Sequence, residues 1–191
     1  MKDLLNKELM EKLKGSMSKR RFEHSQSVCA TAVEMAERFG ADCDKAWLAG
    51  MLHDCAKGMS TAEQITKCGE YGIFLDEITL ACSPVIHAPL GAEIARRIYG
   101  VEDKEVLDAI RKHTVGGCIL SLLDKIIYTA DMIEPNRSFN GVEELRQVAK
   151  NDINQAYLKC IKQSLLFNIN ENKIIHPSTL DSYNELICLS L

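Results

Sequence analysis

The run Gly50-Met51-Leu52-His53-Asp54-Cys55-Ala56-Lys57-Gly58 decides how this chain is read. Upstream of it, Asp42 is placed to cap a helix running through Trp47 and Met51 to about Cys55. An imidazole and a carboxylate therefore arrive side by side at the end of an apolar helix. Neighbours on an ideal helix point about 100° apart. They can still meet at one ion lying between their directions, or where the helix stops, and Gly58 offers such a stop.

Outward from this run, the chain keeps helical spacing almost throughout. Leu5, Leu9 and Leu13 line a first helix that Gly15 can close, and Val28, Ala32, Met35 and Phe39 form a stripe on a second, closed by Gly40. His24, four residues before Val28, falls on the core side of that stripe. Ser60 and Glu63 fit a capping box opening a short helix that Gly69 ends. Residues 70–88 are the least regular stretch, expected to be loop with a short helix. Pro89 suits the first turn of a helix reaching Tyr99 and stopping at Gly100, and Glu102–His113 reads as another. Ser121 opens a strongly apolar helix carrying Leu123, Ile127 and Asp131, which Pro135 ends. Helices over Val142–Lys150 and Ile153–Phe167, joined or separate, a polar turn at Asn170–Lys173 and a helix after Pro177 complete the chain. The expectation is an all-α domain over 1–191, with a core bundle over about 20–137, C-terminal helices over about 142–191, and the first and last helices as additions.

Composition narrows the function. The 191 residues are 46% hydrophobic, enough for a sizeable core, and the net charge is -4 with no long basic run, which argues against a nucleic-acid grip. Met1–Lys14 is charged throughout, and no window approaches the ~18 unbroken apolar residues of a membrane span. The eight cysteines contain no C-x-x-C pair, so they read as reduced, small core residues of a cytoplasmic protein rather than a zinc site or disulfide framework.

The chemistry sits in histidines and aspartates on these helices. Asp131 follows the apolar run Ile126–Ala130, and an ionised carboxylate there is costly to bury unless something compensates it. A metal ion would, with His53–Asp54 and His24 supplying donors from two more helices. Each residue also has a plainer reading: His24 as a hydrogen-bonded core histidine, Asp131 as a cap on the turn before Pro135, His53–Asp54 as a chance dipeptide.

Their order, His24, then His53-Asp54, then Asp131 at the end of an apolar helix, resembles the HD-domain phosphohydrolase superfamily. The fuller set adds His87 and His113. The runs His24-Ser25, His53-Asp54-Cys55-Ala56-Lys57, His87-Ala88-Pro89-Leu90-Gly91, His113-Thr114 and Ala130-Asp131 through Pro135-Asn136-Arg137 look like the bacterial HD-domain bis(5′-nucleosyl)-tetraphosphatases (symmetrical). The resemblance implies hydrolysis of diadenosine tetraphosphate to two ADP by attack of water on an inner phosphorus. It implies a metal held by His24, His53, Asp54 and Asp131, with His87 and His113 on a second ion or on phosphate and Asp54 as the bridge. The metal is expected to be iron, one or two ions, with manganese, cobalt or zinc as the alternatives. Asp54, Lys57, His87 and His113 are the expected catalytic groups. Lys57, Arg137 and Thr114, and the N–H groups of Gly58, Met59 and Ser60 ahead of a helix start, are the expected further contacts to ADP. His176 is expected to be structural, with a contact to the base from its neighbourhood as the alternative. No nucleic-acid or membrane partner is expected, and apolar faces on the terminal helices could support a homodimer. Two other readings stay open: an HD phosphohydrolase of nucleoside monophosphates, deoxynucleotides or guanosine alarmones, and a nucleotide sensor that does not catalyse.

Overall fold

The computed structural model describes residues 2–189, with side chains from Lys7 onward, so the Leu5 side chain lies outside the described residues. Eleven α-helices follow one another among these residues: α1 (Lys2–Ser16), α2 (Lys19–Phe39), α3 (Cys43–Leu52), α4 (Thr61–Tyr71), α5 (Glu77–Ala81), α6 (His87–Tyr99), α7 (Lys104–Lys112), α8 (Leu122–Ile133), α9 (Val142–Ala149), α10 (Ile153–Asn170) and α11 (Pro177–Cys188). A 3-10 turn, Ser83–Val85, precedes α6, and the described residues contain no strand.

Helices α2, α3, α7 and α8 pack on one another as the centre of the molecule. Helix α6 lies on α7, α10 lies on α8 and α9, and α11 lies on α10. The reason is legible in α2, which buries Phe22, Ser25, Val28, Cys29, Ala32, Met35 and Ala36, a three-four spacing that makes one continuous inner face. Burying one Val or Met is worth ~1.5–3 kcal/mol, whereas a helix cap is worth ~1 kcal/mol. Burial therefore decides where the helix lies, and caps decide where it begins. The caps are regular: Ser18, Asp42, Ser60, Asp103 and Ser121 each accept a backbone N–H in the first turn. Ser60 with Glu63, and Ser121 with Asp124, close reciprocal capping boxes. No helix among the described residues is long and apolar enough to cross a membrane.

Several boundaries differ from those expected. Gly15 lies inside α1, which runs on to Ser16. Helix α4 passes through Gly69 and stops at Gly72, whose φ of 71° is the left-handed value that glycine adopts without strain. Helix α3 stops at Leu52 rather than near Cys55, and the chain then turns tightly, with Cys55 N–H on Leu52 O and Lys57 N–H on Asp54 O. Helices α9 and α10 are separate because Asp152 caps a new start, and α10 continues past Phe167 to Asn170. Of the cysteines, Cys29, Cys55, Cys68 and Cys160 are core residues; Cys43 and Cys82 are half-buried, and Cys118 and Cys188 are exposed. All eight are free thiols.

Candidate metal centre

The early stop of α3 shapes the site. His53 is the residue just past the helix, and Asp54 lies in the turn, so the two side chains are released from the 100° constraint of a continuing helix. His113 ends α7 in the same way, and His87 opens α6. These three histidines share one local device. Each Nδ1 lies 2.7 Å from the carbonyl oxygen three residues earlier: His53 to Gly50, His87 to Pro84, His113 to Ile110. A carbonyl can only accept, so all three Nδ1 atoms carry the proton and all three Nε2 atoms are left as lone-pair donors. His24, on α2, turns its Nδ1 to Glu134 Oε1 at 3.2 Å, the carboxylate–histidine pairing that orients a metal-ligating imidazole.

The free ends converge. His24 Nε2 is 3.0 Å from Asp131 Oδ1 and 3.7 Å from Asp54 Oδ2, and His53 Nε2 is 3.5 Å from Asp54 Oδ2. Two overlapping triads, His24–His53–Asp131 and His53–Asp54–His113, each keep their donor atoms within 4.8 Å of one another. Yet His24 Nε2, His53 Nε2 and Asp54 Oδ1 are buried and make no well-formed hydrogen bond. Atoms this close but misaimed at one another point at a shared centre. Ligands around an ion with bonds of ~2.1 Å stand about 3 Å apart, so the spacing fits a metal. A second place has the same character. His87 Nε2 and His113 Nε2 face each other at 3.0 Å, and their tautomers make both of them acceptors. A cation or a donor between them resolves that opposition.

The charges agree. Burial works to raise the carboxyl of Asp54, but the charge of His53 and the close imidazoles of His113, His53 and His87 hold it well below its ordinary range. Burial opposes ionisation of Asp131 too, and the adjacent imidazole of His24 with the charges of His53 and Arg137 overcomes it. His53 is disfavoured as a cation by burial, yet Asp54 draws it up, and a field that attracts a proton there attracts a metal cation. Burial pushes His87 down to about 4, so it is a neutral imidazole.

The remaining expected site residues fall around this centre. Lys57 Nζ is 3.8 Å from Asp54 Oδ1. Arg137, past Pro135, puts Nη2 2.5 Å from Asp131 Oδ1 and donates from Nε to the Asp131 carbonyl at 2.8 Å. Thr114 follows His113, and its hydroxyl is buried without a hydrogen-bond partner. It lines a cleft of about 570 Å³ together with Pro84, Phe167, Asn168, Lys173 and His176. His176 caps α11 by accepting Ser178 N–H at Nδ1, which leaves Nε2 to donate to Thr79 Oγ1 at 3.2 Å. In the segment Gly58–Ser60, two of the three N–H groups have partners within the protein. Ser60 N–H goes to Glu63 and Met59 N–H to Ala56 O, and a Cβ on Gly58 would run into Ser16 O, so this segment seats α1 and starts α4.

Two residues escaped sequence reasoning. Arg21 Nη1 lies 2.6 Å from Asp54 Oδ2, and Glu134 takes hydrogen bonds from Ser27 Oγ and Asn136 N–H as well as facing His24. The available signal was spacing: Arg21 is three residues before His24, and Glu134 is three after Asp131, each about one helical turn from a candidate ligand. Arg146 of α9 holds the end of α8 in place by donating to the carbonyls of Ile133, Glu134 and Arg137.

Comparison with known proteins agrees with this geometry. The family model described as the HD domain matches residues 21–136. The chain is 42% identical over 178 residues, 92% of its length and 94% of the relative's, to a Bacillus subtilis protein named bis(5′-nucleosyl)-tetraphosphatase, symmetrical. It is 40% identical to a protein of the same name from Halalkalibacterium halodurans, covering 93% of this chain and 95% of that one. A crystal structure from Clostridium acetobutylicum, of a protein described as a predicted HD superfamily hydrolase involved in NAD metabolism, superposes with a TM-score of 0.94 at 36% identity, covering 96% of this chain and 97% of that one. With the His–Asp centre and these relatives together, the chain belongs to the HD-domain family, in the group of the symmetrical bis(5′-nucleosyl)-tetraphosphatases.

Proposed function

We propose that this chain is a metal-dependent hydrolase that cleaves diadenosine tetraphosphate at its central bridge to give two ADP. The observation that carries the reading is the convergence of His24, His53, Asp54 and Asp131 in a chain whose relatives, matched over nearly their whole length, bear that activity as their name. The four side chains would hold one ion, and His87 and His113 would hold a second ion or a phosphate. When bound, the ion supplies Lewis-acid charge to phosphate and acidifies water near neutral pH.

The protein's own groups do the rest. The three i−3 carbonyls fix the histidine tautomers, and Glu134 fixes His24, so the donor atoms are set before any ligand arrives. Lys57 and Arg137 add positive charge at the two edges of an otherwise acidic chain, where a bridge carrying about four negative charges must lie. The cleft lined by Thr114, Phe167, Asn168 and Lys173 is large enough for a nucleoside, and it opens beside His113. Iron is the metal placed first on the family resemblance; imidazole and carboxylate donors without thiolate suit iron, manganese or zinc. Cys55, next to Asp54, turns its Sγ to Gly91 O, and burial raises its thiol, which keeps it out of the donor set.

Purification without air or chelator, metal quantification and product chromatography test the reading: ADP alone is expected, while equal AMP and ATP would overturn symmetrical cleavage. Lys57→Ala is expected to keep its metal and lose roughly 10- to 100-fold in kcat/KM, the equivalent of a charge-assisted hydrogen bond of ~1.5–3 kcal/mol. Unchanged efficiency at physiological salt would make Lys57 an ordinary surface cation.

A further inference from the structure

Asp54 divides the centre in two. Its Oδ1 faces His87 at 3.2 Å, His113 at 3.6 Å and Lys57 at 3.8 Å. Its Oδ2 faces Arg21 at 2.6 Å, His53 at 3.5 Å and His24 at 3.7 Å. A different cleft opens on each side. The nucleoside-sized cleft meets the His87–His113 side through Pro84 and Thr114. The other, of about 800 Å³, is lined by His24 together with Ser18, Arg20, Arg21, Asn136 and Arg137. Three guanidiniums stand in that second cleft. Two carboxylates line it as well: Glu134 is 2% exposed and engaged by His24, Ser27 and Asn136, and Glu23 is exposed and lies 3.8 Å from Lys19 Nζ. Arg20 is exposed and makes no ion pair among the described residues, so its charge is available to a ligand.

We infer that this arginine cleft is a second nucleotide subsite, which takes the departing nucleoside diphosphate half of the substrate. Arg21 and Arg137 grip the phosphate next to the scissile bond, and Arg20 meets the phosphate beyond it. The inference rests on the function proposed above. Its logic is charge balance at the bond that breaks. One water adds across the central bridge: its oxygen bonds to one inner phosphorus, and the P–O bond from that phosphorus to the bridging oxygen breaks. The electron pair goes to the bridging oxygen, which becomes a terminal phosphate oxygen of the leaving ADP, and the protons of water pass to solvent or to the product phosphates. The leaving ADP gains negative charge as the bond opens. A pair of forked guanidiniums fixed on the ligand carboxylates Asp54 and Asp131 is already aimed at the place where that charge develops. The groups on the Oδ1 side, the imidazoles of His87 and His113 and one lysine, suit the half that stays.

Two ligands separate the subsites: ADP, which needs only one, and diadenosine tetraphosphate with a methylene in place of the central bridging oxygen, which must span both. Calorimetry on the metal-loaded wild type, Arg20→Ala, Arg21→Ala and Arg21→Lys reads the difference, with metal content measured on each preparation. Arg20→Ala touches no metal ligand and serves as the variant whose fold and centre are intact. The expected result is a fall of tenfold or more in affinity for the methylene analogue with Arg20→Ala or Arg21→Ala, a change under threefold in the tight ADP site, and partial recovery with Arg21→Lys. Wild type is expected to bind a second, weaker ADP that Arg20→Ala abolishes. Equal losses for both ligands, or no loss for either, would overturn the second subsite. The two readings fail separately: if wild type does not hydrolyse diadenosine tetraphosphate the proposed function is wrong, whereas normal hydrolysis with an unaltered Arg20→Ala profile removes only this inference.

Discussion

Between α2 and α3 the backbones come so close that a Cβ on Gly50 would stand 2.7 Å from Cys29 Cα. Helix α11, by contrast, reaches the centre through hydroxyls. Thr179 Oγ1 donates to Val115 O at 3.0 Å, and Ser182 Oγ donates to Gly117 O at 2.8 Å while accepting from Gly117 N–H and Tyr157 Oη. The first region carries His24 on α2 and leads α3 straight into the turn of His53 and Asp54. The second steadies a loop, residues 114–120, that borders the nucleoside cleft. The difference teaches where rigidity is needed. Ligand atoms must stay within a few tenths of an ångström, and backbone contact gives that; a binding loop tolerates the softer hold of side-chain hydrogen bonds.

The largest expected effect tests whether the first region is what it is taken to be. Asp54→Ala removes the carboxylate that His53, His87, His113, Arg21 and Lys57 all face. Turnover should fall by at least about a thousandfold, because the site loses both a metal ligand and the link between its halves. Metal analysis of the folded variant should show substoichiometric metal. A folded Asp54→Ala protein with full metal content and wild-type rate would end the assignment of this centre.

The same region was also the more legible one from sequence. His24, His53 and Asp54 there, like His87, His113 and Asp131 on the neighbouring helices, were nameable because their chemistry is costly in an apolar setting and their order has a family precedent. Ser18, Ser60 and Ser121 show why most helix starts could be read: caps are local, and a few residues contain the whole signal. Helix ends were harder. Gly69 and Gly72 compete three residues apart, and only tertiary packing chooses between them. Arg21, Glu134 and the crossing at Gly50 were not seen because each acquires its meaning from another helix, which periodicity along one helix does not report. The packing role of Gly58 was hidden for the same reason, since the group it must avoid, Ser16 O, belongs to α1.

Gly50→Ala sharpens the comparison at intermediate size. The added methyl meets the Cys29 backbone, which cannot step aside as a flexible side chain would, so α3 must shift off α2. The cost is expected to be about 2–3 kcal/mol, read by urea unfolding. Gly50 O also accepts the Nδ1 proton of His53, so the shift should move a ligand candidate and weaken metal binding as well. Metal titration against a competing chelator gives that second reading. A destabilised Gly50→Ala protein with unaltered metal affinity would mean that the ligand geometry is set by the turn after Leu52 alone, and not by the α2–α3 crossing.

Ser182→Ala is the matching cut in the second region, and its effect should be the smallest. Ser182 is 1% exposed, and removing its hydroxyl leaves Gly117 N–H, Gly117 O and Tyr157 Oη to find other partners in a closed space. Leaving buried polar groups unpaired costs ~1–3 kcal/mol, and for a chain of this size that lowers Tm by roughly 2–4 °C per kcal/mol. Thr179, still bonded to Val115 O, keeps the loop from detaching, which places the expected loss near the lower end. The functional consequence should fall on nucleotide binding. Thr114 and Val115 line the cleft assigned to the nucleoside, so loosening the loop should weaken ADP by several-fold and raise KM more than it lowers kcat. Metal content should stay at the wild-type level, because Ser182 contacts none of the candidate ligands. If Ser182→Ala instead sheds metal in step with its loss of stability, the hydroxyl-held layer and the backbone-held seam form one cooperative unit, and the contrast between them does not extend to function.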